Sequence, residues 1–457
     1  MNYLIIGGGI SGLVSAHALL KGNPLAQITI VEKDQKLGGL LSGIEYEDEN
    51  LYFDTGTHIF QETGIQEVDQ LLLNSVPSSD LIRFPIGQGD ICGTVFNRIL
   101  QRNSHFPDLR HCIESKISKS ILKHLENLTE IPGICRENSL FEVSTARFGE
   151  EFTQQVVAPI FEHTFGLGIN SLSAFALLLT GWTRVIIDDE REWMCNSNDR
   201  LYRSLIAIPE QRNLPLKLHH GRHSFYSNSK GSKAFIQGLA TSLEKSGVKI
   251  LNNCTVTSFE SSDLNLTLND ANNKEVQLRP DKVIFSNGVI GAARTLGVNL
   301  TNYHFDKPMR HRVIDVLLKE SCDSDLCYLL GLDQSCDWYR VTNYSAITGN
   351  RSDRRLTIEV LGNKKGDSKN LASRCLSQLR NISFLKSTGT DFFRIRDLPY
   401  GFPTPSVCNF KSISALWLDL KNSLPEDVLL AGIGSNKSLF FQNEVVSDIY
   451  NRTLKFA

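Results

Sequence analysis

The chain opens on an unbroken apolar run, Tyr3-Leu4-Ile5-Ile6, which stops at Gly7-Gly8-Gly9 and resumes from Leu13 to Leu20 with an Ala- and Leu-rich pattern. A short apolar run, a glycine turn and a longer apolar stretch predict a buried parallel strand, a tight turn and a helix. A second strand is expected at Gln27-Ile28-Thr29-Ile30-Val31. Between about 63 and 227 the glycine-turn pattern disappears, and helical stretches predict helices over 115–128 and 150–161. Beyond it the pattern predicts a helix over 233–245 and strands over 248–250, 255–259, 281–285, 312–318, 327–330 and 355–361. A last strand begins at 427 and ends in glycine, with a helix starting near Gln442. Strand and helix segments at both ends and in the middle imply an α/β fold.

At 457 residues the chain exceeds one ordinary hydrophobic core, so at least two packed units are expected. With 41% hydrophobic and 21% charged residues it is neither disordered nor fibrous. Its 48 basic and 50 acidic residues nearly cancel, which excludes a global field for nucleic acid or an anionic membrane. Ten cysteines are scattered without CxxC pairs, and Cys322, Cys327 and Cys336 lack metal-ligand spacing, so buried thiols are expected. No basic region precedes the short N-terminal apolar run, and no apolar stretch approaches the roughly 20 residues of a membrane span. A cytoplasmic, reducing location is the expectation.

The glycines carry the first candidate chemistry. In Gly7-x-Gly9-x-x-Gly12, Gly7 permits the turn, Gly9 lets a pyrophosphate approach the backbone, and Gly12 allows close helix–strand packing. Phosphates then meet free N–H groups and the positive dipole end at the helix N-terminus, beside Ser11. Glu32 closes the second strand twenty residues after Gly12, where a carboxylate accepts hydrogen bonds from an adenosine ribose. Strand, turn, helix and acid together describe a Rossmann-like dinucleotide-binding unit.

The continuation from Glu32-Lys33 to Gly38-Gly39-Leu40-Leu41-Ser42 resembles the extended signature of the FAD-dependent amine oxidase and protoporphyrinogen oxidase-like superfamily. The resemblance implies FAD rather than NAD as cofactor, with contacts at Gly7, Gly9, Ser11, Gly12, Glu32, Lys33, Gly39 and Leu40. Phe53-Asp54-Thr55-Gly56-Thr57-His58-Ile59-Phe60 is similar to the segment that passes beside the flavin ring in this superfamily. In the branch containing UDP-galactopyranose mutase, a G-x-H-I-F segment sets a histidine near the reactive flavin nitrogen. Thr57 and His58 would inherit those places; the plainer alternative is a structural histidine. By the same likeness Val256 lies on the adenine side, while Gly432 and the start of the last helix at Asn443 approach the flavin. The mutase-like branch usually has Gly-Arg where this chain has Gly432-Ile433, which departs from its diphosphate contact. The stretch from Ser139 through Arg147-Phe148-Gly149-Glu150 to Leu172-Ser173 is similar to an architectural helical segment of the family.

The resemblance implies an FAD-binding domain built from 1–62, 228–300 and 425–457, and an α+β substrate domain from 63–227 and 301–424. Within the latter, Asp337-Trp338-Tyr339-Arg340 resembles an aromatic-Arg segment lining the active site of the mutase-like branch. Arg340 would grip a carboxylate or phosphate there; the alternative is a surface strand arginine. Tyr400, in Leu398-Pro399-Tyr400-Gly401-Phe402-Pro403, stands at a turn where relatives carry a tyrosine, and is expected toward the pocket. His58, Arg340 and Tyr400 are thus the catalytic candidates. No Ser/His/Asp, HExxH or paired-carboxylate motif competes with them. The function expected is an FAD-dependent oxidoreductase taking hydride from a small-molecule substrate. The alternative is a mutase-like flavoenzyme acting on a nucleotide sugar without net redox, and a third reading is a non-catalytic flavoprotein.

Overall fold

Asn2–Ile6 forms the centre of a five-stranded sheet, in the order Lys249–Leu251, Gln27–Val31, Asn2–Ile6, Lys282–Phe285, Val428–Leu430. All four pairings are parallel, with Ile5 in register with Ile30 on one side and Ile284 on the other. These isoleucines are fully buried, as expected of parallel strands covered on both faces. The computed structural model describes all residues except 88–91, 103, 111–114, 220, 363, 365–367, 433–438 and 440. Ile433 and the segment 434–436 of the expected C-terminal cofactor motif lie outside the described residues.

Helices Ile10–Gly22, Gly231–Lys245, Gln442–Phe456 and Gln66–Leu73, the last through Val68 and Leu72, contribute to this first unit's core. Ile10–Gly22 follows the first strand through the glycine turn, and Leu13, Val14, Ala16, Ala18 and Leu19 are buried. Gly231–Lys245 contributes Phe235, Ile236, Leu239 and Leu243, and Gln442–Phe456 contributes Val446, Ile449 and Tyr450. A methyl group at Gly12 would lie 2.0 Å from the Gly7 carbonyl oxygen, so the helix sits against the turn at a distance only glycine permits. The strands Thr255–Glu260, Asn265–Asn269 and Glu275–Leu278 form an antiparallel meander.

The described chain divides into a unit of Met1–Arg83, Arg222–His304 and Lys411–Ala457 and a second of Phe84–Gly221 and Phe305–Phe410. The first chain crossing therefore falls after Arg83 and not after residue 62. The reason is a small sheet in which Ser224–Ser227 pairs with both Phe60–Gln61 and Leu81–Arg83, tying residues 60–83 to the first unit.

The second unit is α+β. Its seven-stranded sheet runs Thr390–Asp397, His311–Leu318, Arg355–Leu361, Arg340–Asn343, Tyr328–Gly331, Cys92–Phe96, Ile99–Gln101. The last two strands lie in a region the periodicity assigned to helices. Cys92–Phe96 is buried at every position and so shows no alternation, and Ile99–Gln101 has three residues. Phe148, Phe152 and Phe161 on helices, with Trp182 in a turn, build one core cluster with Tyr339, while Trp338 belongs to another with Leu371, Cys375 and Leu379. Ser139 opens the helix Leu140–Phe148 with a capping box: its hydroxyl accepts from Glu142 N (3.1 Å), and Glu142 accepts from Ser139 N (2.8 Å). The helix expected over 150–161 is three pieces, Glu150–Phe152, a π turn at Thr153–Val157, and Ala158–Phe165. The π turn directly precedes the piece whose second residue is Pro159, whose missing N–H interrupts regular pairing. The thiols are only partly as expected, since Cys135 and Cys195 are exposed. No helix among the described residues is long and apolar enough to cross a membrane.

Gly12→Ala should destabilise the protein by about 1–3 kcal/mol, because the obstructing atom is backbone held by the sheet. A lowered Tm in thermal unfolding without added ligand checks this; an unchanged Tm would show that the turn relaxes.

Candidate functional site

The glycine turn gathers most of the expected cofactor residues. Gly7 takes φ +110°, and a methyl there would meet Ser286 Oγ at 2.7 Å. At Gly9 no atom lies within 4 Å of the corresponding position. The helix that follows has Gly9 as N-cap without a side-chain cap, and no acidic residue in its first turn. Its first N–H groups and dipole end therefore face the space open beside Gly9. Gly432 closes the other flank at φ +60°, so near Ser11 that a methyl would come within 2.4 Å of its Oγ. Gly38 N donates to Gly8 O at 2.9 Å, bringing Gly39 and Leu40 alongside. A methyl at Gly39 would meet nothing within 4 Å, and Leu40 is 67% exposed, unusual for a leucine beside a buried turn.

Glu32 is buried, and each of its oxygens accepts one backbone N–H: Gly8 N at 2.7 Å and Asp34 N at 2.9 Å. Each oxygen keeps further acceptor capacity. Lys33 beside it is exposed. Val256 enters the meander two residues after Cys254, whose N–H donates to the Glu32 carbonyl at 2.9 Å. Val256 thus stands on the Glu32 side of the sheet.

The loop from Asp54 to His58 is anchored at both ends. Asp54, fully buried, accepts from the hydroxyls of Tyr52 (2.6 Å), Tyr226 and Ser232 (2.6 Å) and from Ser232 N (3.1 Å). Ser232 is in the first turn of Gly231–Lys245, so a carboxylate occupies that helix N-terminus. Asp54 stands in a segment quoted from sequence, but nothing local announces that it meets Ser232. Gly56 has φ +101°; Thr57 and His58 are half-buried. His58 bonds to Thr55 O through Nε2 (2.9 Å) and to the Gln442 amide through Nδ1 (3.2 Å). Asn443, at the start of the same final helix, donates to Gln61 Oε1 at 3.2 Å.

The remaining catalytic candidates belong to the second unit. Arg340 is neither free to grip an anion nor a simple surface residue, because its fork is filled by Glu359. Nε and Nη2 both donate to that carboxylate, the latter at 3.0 Å, and His311 Nε2 lies 3.2 Å from it. The residues are directly opposite in the pairing of Arg340–Asn343 with Arg355–Leu361. Burial works to raise the Glu359 carboxyl, but the charge of Arg340 overrides it and holds the group well below its usual 4.5. Trp338 and Tyr339 are core residues, with Tyr339 OH bonded to Leu179 O (2.8 Å) and pushed up to about 12 by burial. Tyr400 is 67% exposed on its turn.

A cationic cluster in this unit was not anticipated. Arg147 is buried and, among the described residues, donates only to carbonyls, Pro132 O at 2.6 Å and Thr183 O at 2.8 Å. Arg184 stacks 4.6 Å over Phe106, beside His105. Burial, then the charge of Arg184, brings His105 down to about 4 and Arg147 down to about 10. No carboxylate pairs with either arginine among the described residues. Arg147 Nε and Trp182 Nε1 are buried without hydrogen-bond partners among them.

A family model of NAD(P)-binding Rossmann-like domains matches residues 5–73. No curated protein matches the sequence. Among solved structures, reduced UDP-galactopyranose mutase is similar at TM-score 0.72 and 15% identity, covering 100% of this chain and 96% of that one. A putative protoporphyrinogen oxidase from Exiguobacterium sp. 255-15 gives 0.65 at 14%, covering 99% and 98%. Cyclohexylamine oxidase from Brevibacterium oxydans IH-35A gives 0.61 at 12%, covering 99% and 98%. The chain has the amine oxidase-like fold. At these identities the likeness is one of fold, a fold shared here by structures described as a mutase, a putative protoporphyrinogen oxidase and a cyclohexylamine oxidase. Among the described residues no group of His, Cys, Asp or Glu could hold a metal ion.

Gly9→Val should leave the fold intact, since its side chain would enter open space, yet prevent a dinucleotide from binding. A Tm equal to that of the cofactor-free wild type, with loss of cofactor absorbance, is the expected result; retained colour would remove this turn from the binding site. Glu359→Gln should cost about 3–5 kcal/mol at neutral pH by removing the buried carboxylate that answers the partly buried Arg340 guanidinium. Because the folded carboxyl is held below 4.5, its stabilisation is complete above that pH and is drawn down as pH falls below it. The gap in Tm between wild type and variant should therefore narrow on acidification.

Proposed function

We propose that this protein is an FAD-dependent oxidoreductase that takes hydride from a small-molecule substrate. The observation that carries the reading is the open cradle at Gly9, on an uncapped helix N-terminus, with a buried Glu32 beside it. Anion-seeking N–H groups and a carboxylate with acceptor capacity suit the pyrophosphate and ribose of a dinucleotide. Gly7, Gly9, Ser11 and Gly12 would hold the pyrophosphate, Glu32 and Lys33 the ribose, and Val256 the adenine side. Gly39, Leu40, Thr57, Gly432 and Asn443 would flank the remainder. When bound, FAD supplies a two-electron hydride acceptor. The chain's own part is to orient and to exclude water: Asp54 pins the loop, and His58 presents a ring fixed at both nitrogens.

A second reading, a mutase acting on a nucleotide sugar, is favoured by the cluster of Arg147, Arg184 and His105. Two arginines without paired carboxylates among the described residues suit a diphosphate, which two guanidiniums can bind through paired hydrogen bonds. The filled fork of Arg340 speaks against it.

The deciding experiment is the visible spectrum of the purified protein, with the released cofactor identified, followed by calorimetric titration with UDP. FAD without UDP binding supports the oxidoreductase. UDP binding that weakens at least tenfold in Arg184→Ala supports the mutase, and a colourless protein that refuses added FAD removes both readings. His58→Ala should keep FAD while changing the rate of flavin reduction; an unchanged rate would make this histidine structural.

A further inference from the structure

The two ring nitrogens of His58 make hydrogen bonds of opposite sense. Its Nε2 lies 2.9 Å from the Thr55 carbonyl oxygen, which can only accept, so Nε2 carries a proton. Its Nδ1 lies 3.2 Å from the Gln442 amide nitrogen, which can only donate, so Nδ1 carries a lone pair. The hydrogen-bond network thus assigns a neutral ring in the Nε2–H tautomer. Gln442 is the first residue of Gln442–Phe456, and its Oε1 is buried without a hydrogen-bond partner among the described residues. Its neighbours on that helix are committed elsewhere: Asn443 donates to Gln61, and Glu444 accepts from Phe441 N. Turning the carboxamide over would bring Oε1 to the ring, which satisfies it only if Nδ1 bears a proton. Amide orientation and ring protonation are therefore locked together.

We infer that Gln442 is the positioning residue of His58. Its N–H fixes the neutral Nε2–H ring, and its Oε1 is a built-in acceptor for a proton at Nδ1. The functional consequence rests on the reading of His58 as a flavin-side residue, but the test does not.

The test is nitrogen NMR of the full chain, as purified, with 15N-labelled histidine. The His58 signals are identified among 11 histidines by their loss in His58→Ala. The wild type should show one protonated nitrogen, Nε2, and one unprotonated, Nδ1. Gln442→Leu removes the donor and should let both neutral tautomers populate. Gln442→Glu replaces the donor with an acceptor and suits a helix first turn, so it should fold and drive protonation of both nitrogens at neutral pH. A fixed Nε2–H tautomer in both variants overturns the inference, as does a wild-type ring protonated at Nδ1. Should Gln442→Leu fail to fold, Gln442→Glu decides alone. If the shifts behave as expected in a protein that binds no FAD, the flavin reading falls and the role of Gln442 stands; with FAD bound and the tautomer indifferent to residue 442, the reverse holds.

Discussion

At Gly12 the first helix comes so close to the glycine turn that a single methyl group would lie 2.0 Å from the Gly7 carbonyl oxygen. That approach sets the helix N-terminus at the end of the central strand, where the uncapped N–H groups face open space. Its neighbours depend on the same placement: Gly8 N reaches Glu32, Gly38 N reaches Gly8 O, and Ser11 is close enough for Gly432 to be glycine. The turn is therefore one packed object in which missing side chains hold several chain segments in register.

The buried charges fall into two classes. Asp54 is satisfied by three hydroxyls and an N–H, and Glu359 by Arg340. Such groups hold a loop or a sheet in place, because removing a partner strands a charge away from water. Arg147 and Arg184 lack such a counterpart among the described residues, while Glu32 retains acceptor capacity beyond its two backbone bonds. A charge left incompletely answered by its own unit is where a ligand adds most.

The loop that carries His58 illustrates how rigidity can be built without regular structure. Asp54 fastens one end to Tyr226 and Ser232, and the His58 ring fastens the other to Thr55 and Gln442. Between them Gly56, at φ +101°, gives the turn a backbone conformation that L side chains rarely adopt.

The discontinuous domain was implied by the family resemblance, whereas the amino-acid sequence by itself determined the glycine turn, Glu32 at the end of the second strand, and the runs of strand and helix. Each rests on local constraints: φ freedom at Gly7, close approach at Gly12, and apolar runs of strand or helix period. Short, wholly buried strands such as Cys92–Phe96 carry no alternation, so they escaped that reading. Only the tertiary structure decided who answers each charge. Arg340 reads as an anion grip until strand register sets Glu359 opposite it. Asp54 meets Tyr226 across 172 residues, and His58 meets Gln442 across 384. Contacts at such separations are fixed by how sheets and helices pack, which no local period encodes.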